Sequence, residues 1–491
     1  MAVKGAVACG NTYTAQAALE IFEAGGNAFD ALCAAALAAG VCEAALTSLG
    51  GGGFATLYPA RGRPLVYDFF VDTPGKGLLR RPAKLDFRTV TVKFPGSSQD
   101  FHVGLASVAV PGTLKGLIVL HRENGRLPLR EVVAPAIRFA RHGFLVDAFQ
   151  AYCFKLLAPI FTLNDEIKAI FCPEGAPPKE GTLLKNPALA DFLEALPESL
   201  KDFYEGSIAE SLAHLMREGG GLLTKEDLSS YQVYKRAPLH FAFKGGQIFT
   251  NPPPSFGGPM VCLSLKLFED LFEGGPFLSP PHLLALAETL VRVHDLRERI
   301  VREDPFRALE LLDRPRASRG TTHISTVDKE GNLAALTMTF GEASGFLAPG
   351  TGIVLNNIMG EDDLHPRGFF ADPPGKRVSS MMAPSIALLN GRRVALGSGG
   401  SKRIRSAIFQ VVINQAYFFL PPQEAVSAPR LHFDGQTLQV EPGLDQEIFS
   451  QFPYPVNFWP VKDLYFGGVH LVDDHFEGAG DERRAGTFKV V

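Results

Sequence analysis

Residues Gly320 to Phe340 read Gly-Thr-Thr-His-Ile-Ser-Thr-Val-Asp-Lys-Glu-Gly-Asn-Leu-Ala-Ala-Leu-Thr-Met-Thr-Phe. Two strand-forming runs flank a polar turn, Asp328 to Asn332, in which Gly331 is free to take positive φ. This pattern predicts a β-hairpin. A small residue followed by a hydroxyl residue at the head of its first strand makes it the stretch around which the chain is read.

The rest of the chain alternates helical and strand patterns around it. Apolar residues recur at helical spacing from Thr14 to Ala24 and stop at Gly25-Gly26; a second helix runs from about Ala28 to Val41. Leu49 to Tyr58 is a glycine cluster feeding a strand. No Gly-Lys-Ser/Thr follows it, so close backbone packing is the better reading than a phosphate cradle. Leu65 to Val71 reads as a strand, about Leu114 to Glu123 and Glu131 to His142 as helices, and Phe241 to Thr250 as a strand. Thr224 is placed as an N-cap three residues before Asp227. A stiff turn, Pro252 to Gly258, precedes a helix, and His282 to Arg302 forms a long amphipathic one. Residues 303 to 320 are charged and weakly periodic, with the look of an exposed linker or cleavage site. Beyond the hairpin, Gly352 to Leu355, Ser385 to Leu389 and Val394 to Leu396 read as strands. A helix follows from about Lys402 to Phe418. Helices, strands, helices and strands succeed one another without regular βαβ alternation, which predicts a layered α+β fold.

Composition enters by exclusion. The formal net charge is −4 with acidic and basic residues interleaved, so no nucleic-acid partner is expected. The six cysteines form no C-x-x-C pair, which favours buried reduced thiols. The apolar stretch Ala31 to Leu49 is broken by Gly40, Glu43 and Gly50 and reads as a buried helix, not a membrane span. Met1 to Gly5 lacks the pattern of a signal peptide, so the expectation is a cytoplasmic protein without membrane contact. The twelve histidines are scattered without ligand spacing; His323 reads as a strand residue with a satisfied ring, and neither metal nor cofactor is expected.

No Gly-x-Ser-x-Gly elbow, His-Glu-x-x-His or Walker loop is present. The threonine run alone fits an ordinary strand. Its chemical alternative is specific. Thr321 Oγ1 could attack the carbonyl of Gly320, and an acyl shift followed by hydrolysis would free the α-amine of Thr321. An α-amine titrates at about 7.7–8.0 and can act as base for its own hydroxyl. The turn Gly397-Ser398-Gly399-Gly400-Ser401, just before a helix, offers backbone N–H groups for an oxyanion.

Taken together, several ordered motifs resemble the gamma-glutamyltranspeptidase family of N-terminal nucleophile hydrolases over nearly the whole chain. They are Gly25 to Ala31, Leu49 to Phe54, Pro111-Gly112-Thr113, Gly221 to Thr224, Pro252 to Gly258, Thr321 to Ser325, Leu355-Asn356-Asn357 and Ser379-Ser380-Met381. The resemblance implies a four-layer αββα sandwich and self-cleavage between Gly320 and Thr321. That cut gives a large subunit, 1–320, and a small subunit, 321–491, which together form one domain; a homo-oligomer of this heterodimer is left open. It also implies that Thr321 is the nucleophile, that Thr339 hydrogen-bonds it, that Gly400 and Ser401 form the oxyanion hole, and that Ser379 and Ser380 bind the substrate α-carboxylate.

The substrate pocket departs from the family pattern. Phe70 stands where the family has the arginine that clamps the γ-glutamyl carboxylate, and a phenyl ring cannot replace that contact. Gly341 or Glu342 replaces the usual asparagine after Thr339, and Ile358 the glutamine after the paired asparagines. The run Glu361-Asp362-Asp363 reads either as an ammonium site, with Asp363 best aligned, or as a solvated turn. The short segment before Ser379 implies an absent lid, which favours hydrolysis over transfer. Three readings follow: a gamma-glutamyltransferase and glutathione-type hydrolase with an altered pocket, an amide acylase of the cephalosporin-acylase kind, and a binding homologue without turnover. Retention of Gly320, Thr321, Thr339, Ser379, Ser380 and Gly400 argues against the last.

Overall fold

In the computed structural model, which describes residues 3–94, 97–303, 320–365 and 368–491, the predicted hairpin forms from Thr322–Asp328 and Leu333–Thr339. Its turn is knotted by one side chain. Asp328 Oδ1 accepts from the backbone N–H groups of Glu330 and Asn332, and Oδ2 accepts from Asn332 Nδ2 and from the N–H of Ala28. The last bond ties the hairpin to the first turn of helix Ala28–Cys42.

The hairpin lies inside a seven-stranded antiparallel sheet. Its order is Thr487–Val490, Gly5–Cys9, Thr322–Asp328, Leu333–Thr339, Gly52–Tyr58, Leu65–Phe69, Tyr234–Arg236. A second, six-stranded sheet packs against it, in the order Gly478–Ala479, Gly468–Asp473, Arg392–Gly399, Ser385–Leu389, Gly246–Thr250, Leu239–Phe243. Ala6, Ala8, Val327, Leu333, Ala335, Ile386, Ala395 and Val472 form the thin apolar layer between the sheets. Helices Thr12–Glu23 and Ala28–Cys42 cover the outer face of the first sheet, and Gly257–Leu271 and Arg403–Phe418 that of the second. This is the αββα sandwich. With layers on both faces, every residue of the two hairpin strands is buried, which explains why apolar and hydroxyl residues run through them without polar alternation.

Helix Ala28–Cys42 is buried along its entire length, and its alanines permit that close approach. Asn27 and Asp30 cap it reciprocally. No helix among the described residues is long and apolar enough to cross a membrane. All six cysteines are free and buried, and burial pushes the thiols of Cys33 and Cys42 well above their usual range. Thr224 caps its helix as expected, bonding Asp227 in both directions.

Some boundaries shift. Phe241 to Thr250 is not one strand but parts of two, Leu239–Phe243 and Gly246–Thr250, joined through Lys244-Gly245. Gly352 to Leu355 makes only isolated bridges, Gly50 to Leu355 and Leu347 to Val354. The strand read over Val394 to Leu396 is longer, Arg392–Gly399. The glycine cluster packs backbone on backbone: a Cβ at Gly51 would collide with the Thr339 carbonyl, and one at Gly50 with that of Val354. The linker read over 303 to 320 lies, from 304 to 319, outside the described residues.

Candidate active site

Thr321 sits one residue before the first register pair, Thr322–Met338, buried at the head of strand Thr322–Asp328. Side chains alternate along that strand. Thr322, Ile324 and Thr326 face the helical layer, where Thr326 Oγ1 donates to the Ala28 carbonyl. His323 and Ser325 face the second sheet, and position 321 falls on their side.

The Gly320 carbonyl accepts from Thr339 Oγ1. Thr339 Oγ1 in turn accepts from the N–H of Gly341 at 3.0 Å. In the uncleaved chain Thr339 thus engages the carbonyl of Gly320, next to Thr321, the residue that the resemblance pairs it with. Position 320 must be glycine for a reason beyond access, because a Cβ there would collide with the Gly341 carbonyl.

Behind the strand, Glu43 receives two hydroxyls: Thr322 Oγ1 donates to Oε2 at 2.5 Å and Thr14 Oγ1 to Oε1 at 2.6 Å. Burial raises its carboxyl to about 7, with the two hydroxyl bonds opposing the shift. His323 has both ring nitrogens bonded, Nδ1 with Thr337 Oγ1 at 2.8 Å and Nε2 with Ser325 Oγ at 2.9 Å. Burial keeps that ring neutral, and it occupies the role read from the sequence, a satisfied strand histidine.

The second sheet brings up the Gly397–Ser401 turn. Gly397 leaves room for the His323 ring, and a Cβ at Gly399 would lie 2.5 Å from the Thr321 carbonyl oxygen. Gly400 has φ 121° and Ser401 φ 50°, so the chain reverses through the left-handed region before helix Arg403–Phe418. Ser401 is a side-chain-bearing residue in a conformation that favours glycine. Gly320, Thr321, Thr339 and the Gly399–Ser401 turn thus form one constellation.

Ser379, Ser380 and Phe70 form another. Val378 N–H donates to the Val71 carbonyl at 3.0 Å, which lays the serine pair beside Phe70. The Ser380 hydroxyl accepts from Met382 N–H, and its carbonyl accepts from Phe256 N–H and Ser255 Oγ, bonds that fasten it to the Pro252–Gly258 turn. The Phe70 ring is fully buried and stacks on Phe54 with centroids 5.5 Å apart. Phe70 shares its apolar cluster with Ile358, Met359 and Met382. The sequence placed Phe70 at the substrate; in the structure its ring lies in this apolar cluster, fully buried against Phe54. Of the acidic run, Glu361 is buried with Oε1 against Gly341, and the Asp363 side chain lies outside the described residues.

Sequence reasoning missed three residues. Glu43 registered only as an interruption of an apolar stretch. Arg377 binds the carbonyls of Phe70 and Gln232 and pairs with Asp72, holding the serine loop. Arg484 Nη1 donates to the Thr321 carbonyl at 3.3 Å. A pocket walled by Leu46, Phe101, Phe149, Leu157 and Leu464 adjoins Gly320, Glu342 and Arg484.

The family model for gamma-glutamyltranspeptidase matches residues 14–314 and 305–491. The chain belongs to that family. It is 32% identical over 498 residues to the glutathione hydrolase proenzyme of Escherichia coli (strain K12), covering 91% of this chain and 84% of that protein. It is 31% identical to the acylase ACY 1 proenzyme of Pseudomonas sp. (strain V22), covering 91% and 85%. Among solved structures, the cephalosporin acylase from Bacillus halodurans superposes with a TM-score of 0.80 at 25% identity, covering 99% of this chain and 96% of that one. This member of the gamma-glutamyltranspeptidase family is thus an enzyme, an amidohydrolase or acyltransferase with the N-terminal nucleophile fold, and its relatives are proenzymes.

Proposed function

We propose that this enzyme matures by cutting the Gly320–Thr321 bond, giving subunits 1–320 and 321–491, and then uses Thr321 to transfer acyl groups from amides to water. The observation that carries this reading is the hydrogen bond from Thr339 Oγ1 to the Gly320 carbonyl. That bond polarises the carbonyl and receives negative charge on its oxygen when Thr321 Oγ1 attacks the carbon. Collapse breaks the C–N bond, the proton lost by the hydroxyl going to the departing nitrogen. Water hydrolyses the resulting ester, leaving the Gly320 carboxylate and a free Thr321 α-amine.

In turnover the α-amine takes the proton of its own hydroxyl, Oγ1 attacks the substrate amide, and Gly400 and Ser401 offer N–H groups to the oxyanion. The amine leaves with the proton, and water releases the acid from the acyl-enzyme. The mainly apolar walls beside Gly320 support an acyl group that is itself largely apolar. A second reading, hydrolysis of γ-glutamyl amides such as glutathione, is favoured by the retained Ser379-Ser380 pair.

Two measurements test these readings. The wild type should run as two fragments on a denaturing gel, and Thr321→Ala as one intact chain without activity; a wild type that stays intact after long incubation overturns self-maturation. Release from a panel of apolar acyl anilides should exceed release from a γ-glutamyl anilide, and the reverse ranking selects the γ-glutamyl reading.

A further inference from the structure

Arg483 and Arg484 are adjacent in sequence and point to different tasks. Arg483 is turned into a buried ion cluster, with Nε 2.7 Å from Glu441 Oε1 and Nη1 3.1 Å from Asp481 Oδ1. Arg430 Nη2 joins it, 2.6 Å from Asp481 Oδ2. That cluster fixes the Asp481–Gly486 loop, and Arg484 leaves it toward Thr321. The backbone makes room for the side chain at three glycines. A Cβ at Gly468 would lie 2.5 Å from Arg484 Cδ, one at Gly399 3.1 Å from Nη1, and one at Gly400 3.2 Å from Nη2. Nη1 donates to the Thr321 carbonyl at 3.3 Å, and the residue is only 3% exposed. One guanidinium therefore spans the residue that carries the nucleophile and the turn that faces it.

We propose that Arg484 is a positioning residue for acyl transfer. Its Nη1 bonds the Thr321 carbonyl while the guanidinium packs against the Gly399–Gly400 turn, which sets their separation, and its charge lies beside the place where the acyl oxygen becomes negative. A cation in a site shielded from water acts there with less screening than at the surface. Arginine suits the task because its planar fork reaches both sides at once, which an ammonium cannot. The inference rests on the reading of Thr321 as nucleophile.

The test compares Arg484→Met and Arg484→Lys with the wild type in three measurements: self-cleavage on gels, thermal unfolding, and steady-state hydrolysis of an acyl anilide that the wild type turns over. The expected result is a kcat lower by roughly 100-fold in R484M and roughly tenfold in R484K, the scale of a lost oxyanion donor. KM should stay within about threefold, as for a contact made mainly in the transition state. A folded variant with wild-type kcat, a loss confined to KM, or an R484K no better than R484M overturns the proposal. Should R484M not fold, R484K against the wild type decides it on the same kcat criterion. A wild type that neither cuts itself nor hydrolyses any anilide fails at the threonine reading instead, so the two failures are distinguishable.

Discussion

Two regions lie at the same end of the strands of the seven-stranded sheet and are built in opposite ways. Around Thr321 the contacts are between backbone atoms, hydroxyls and glycines: Thr339 on the Gly320 carbonyl, Gly341 where a side chain at 320 would fall, Gly399 against the Thr321 carbonyl. Around Phe70 and Ser380 they are between apolar side chains, with Phe70, Ile358, Met359 and Met382 in one cluster. The first region tolerates little, since each atom is fixed by a neighbouring main chain. The second can be rebuilt by exchanging side chains that pack together. The surroundings of Thr321 and those of Phe70 therefore differ in their freedom to change.

The comparison breaks most sharply at Thr339. Thr339→Val keeps shape and removes the donor to the Gly320 carbonyl; self-cleavage should slow by roughly 100-fold or more, with Thr339→Ser recovering much of it. Time-resolved gels of freshly expressed protein measure this, and a valine variant that matures at the wild-type rate removes Thr339 from the mechanism.

Phe70→Arg comes next. On the sequence alone, restoring the family's arginine should tighten γ-glutamyl binding. With the ring packed against Phe54 in the core, a guanidinium there is instead a buried charge, destabilising by about 3–5 kcal/mol. A lowered melting temperature without a fall in γ-glutamyl KM is expected; a stable variant with a clearly lower KM would join Phe70 to the substrate site.

The smallest effect concerns Glu43. Its carboxyl is raised in the folded state to about 7 from an ordinary 4.5. The folded protein thus holds this proton more tightly than the unfolded chain, a contribution to stability that is complete below about 4.5 and lost as pH rises through about 7. In Glu43→Gln that slope should vanish, so melting temperatures of the two proteins should differ in their pH dependence between 4.5 and 7. Parallel curves would show that Glu43 titrates at its ordinary value.

The hairpin, its turn and the layered architecture were legible because periodicity, turn residues and burial agree locally. The cysteines, His323 and the packing role of the glycine cluster were legible for the same reason. The split of Phe241 to Thr250 was hidden because Lys244-Gly245 is a short turn inside an apolar run. The burial of Phe70 was not legible, because replacement of a charged residue by an apolar one says nothing about which way the ring turns; its stacking on Phe54 appears only in the fold. Arg484 left no trace at all: an arginine doublet reads as solvated surface, and only the fold shows that one member meets Thr321.

The strand order has a consequence for the processed enzyme. Across the first sheet, strands from before and after Gly320–Thr321 run after, before, after, after, before, before, before, and Gly5–Cys9 is gripped on both sides by strands from beyond the cut. Severing that bond would leave two chains woven through a common sheet, with every ladder hydrogen bond still in place. Neither fragment could depart without tearing out the other's strands. Such a pair does not come apart on dilution; its separation and its unfolding are the same event.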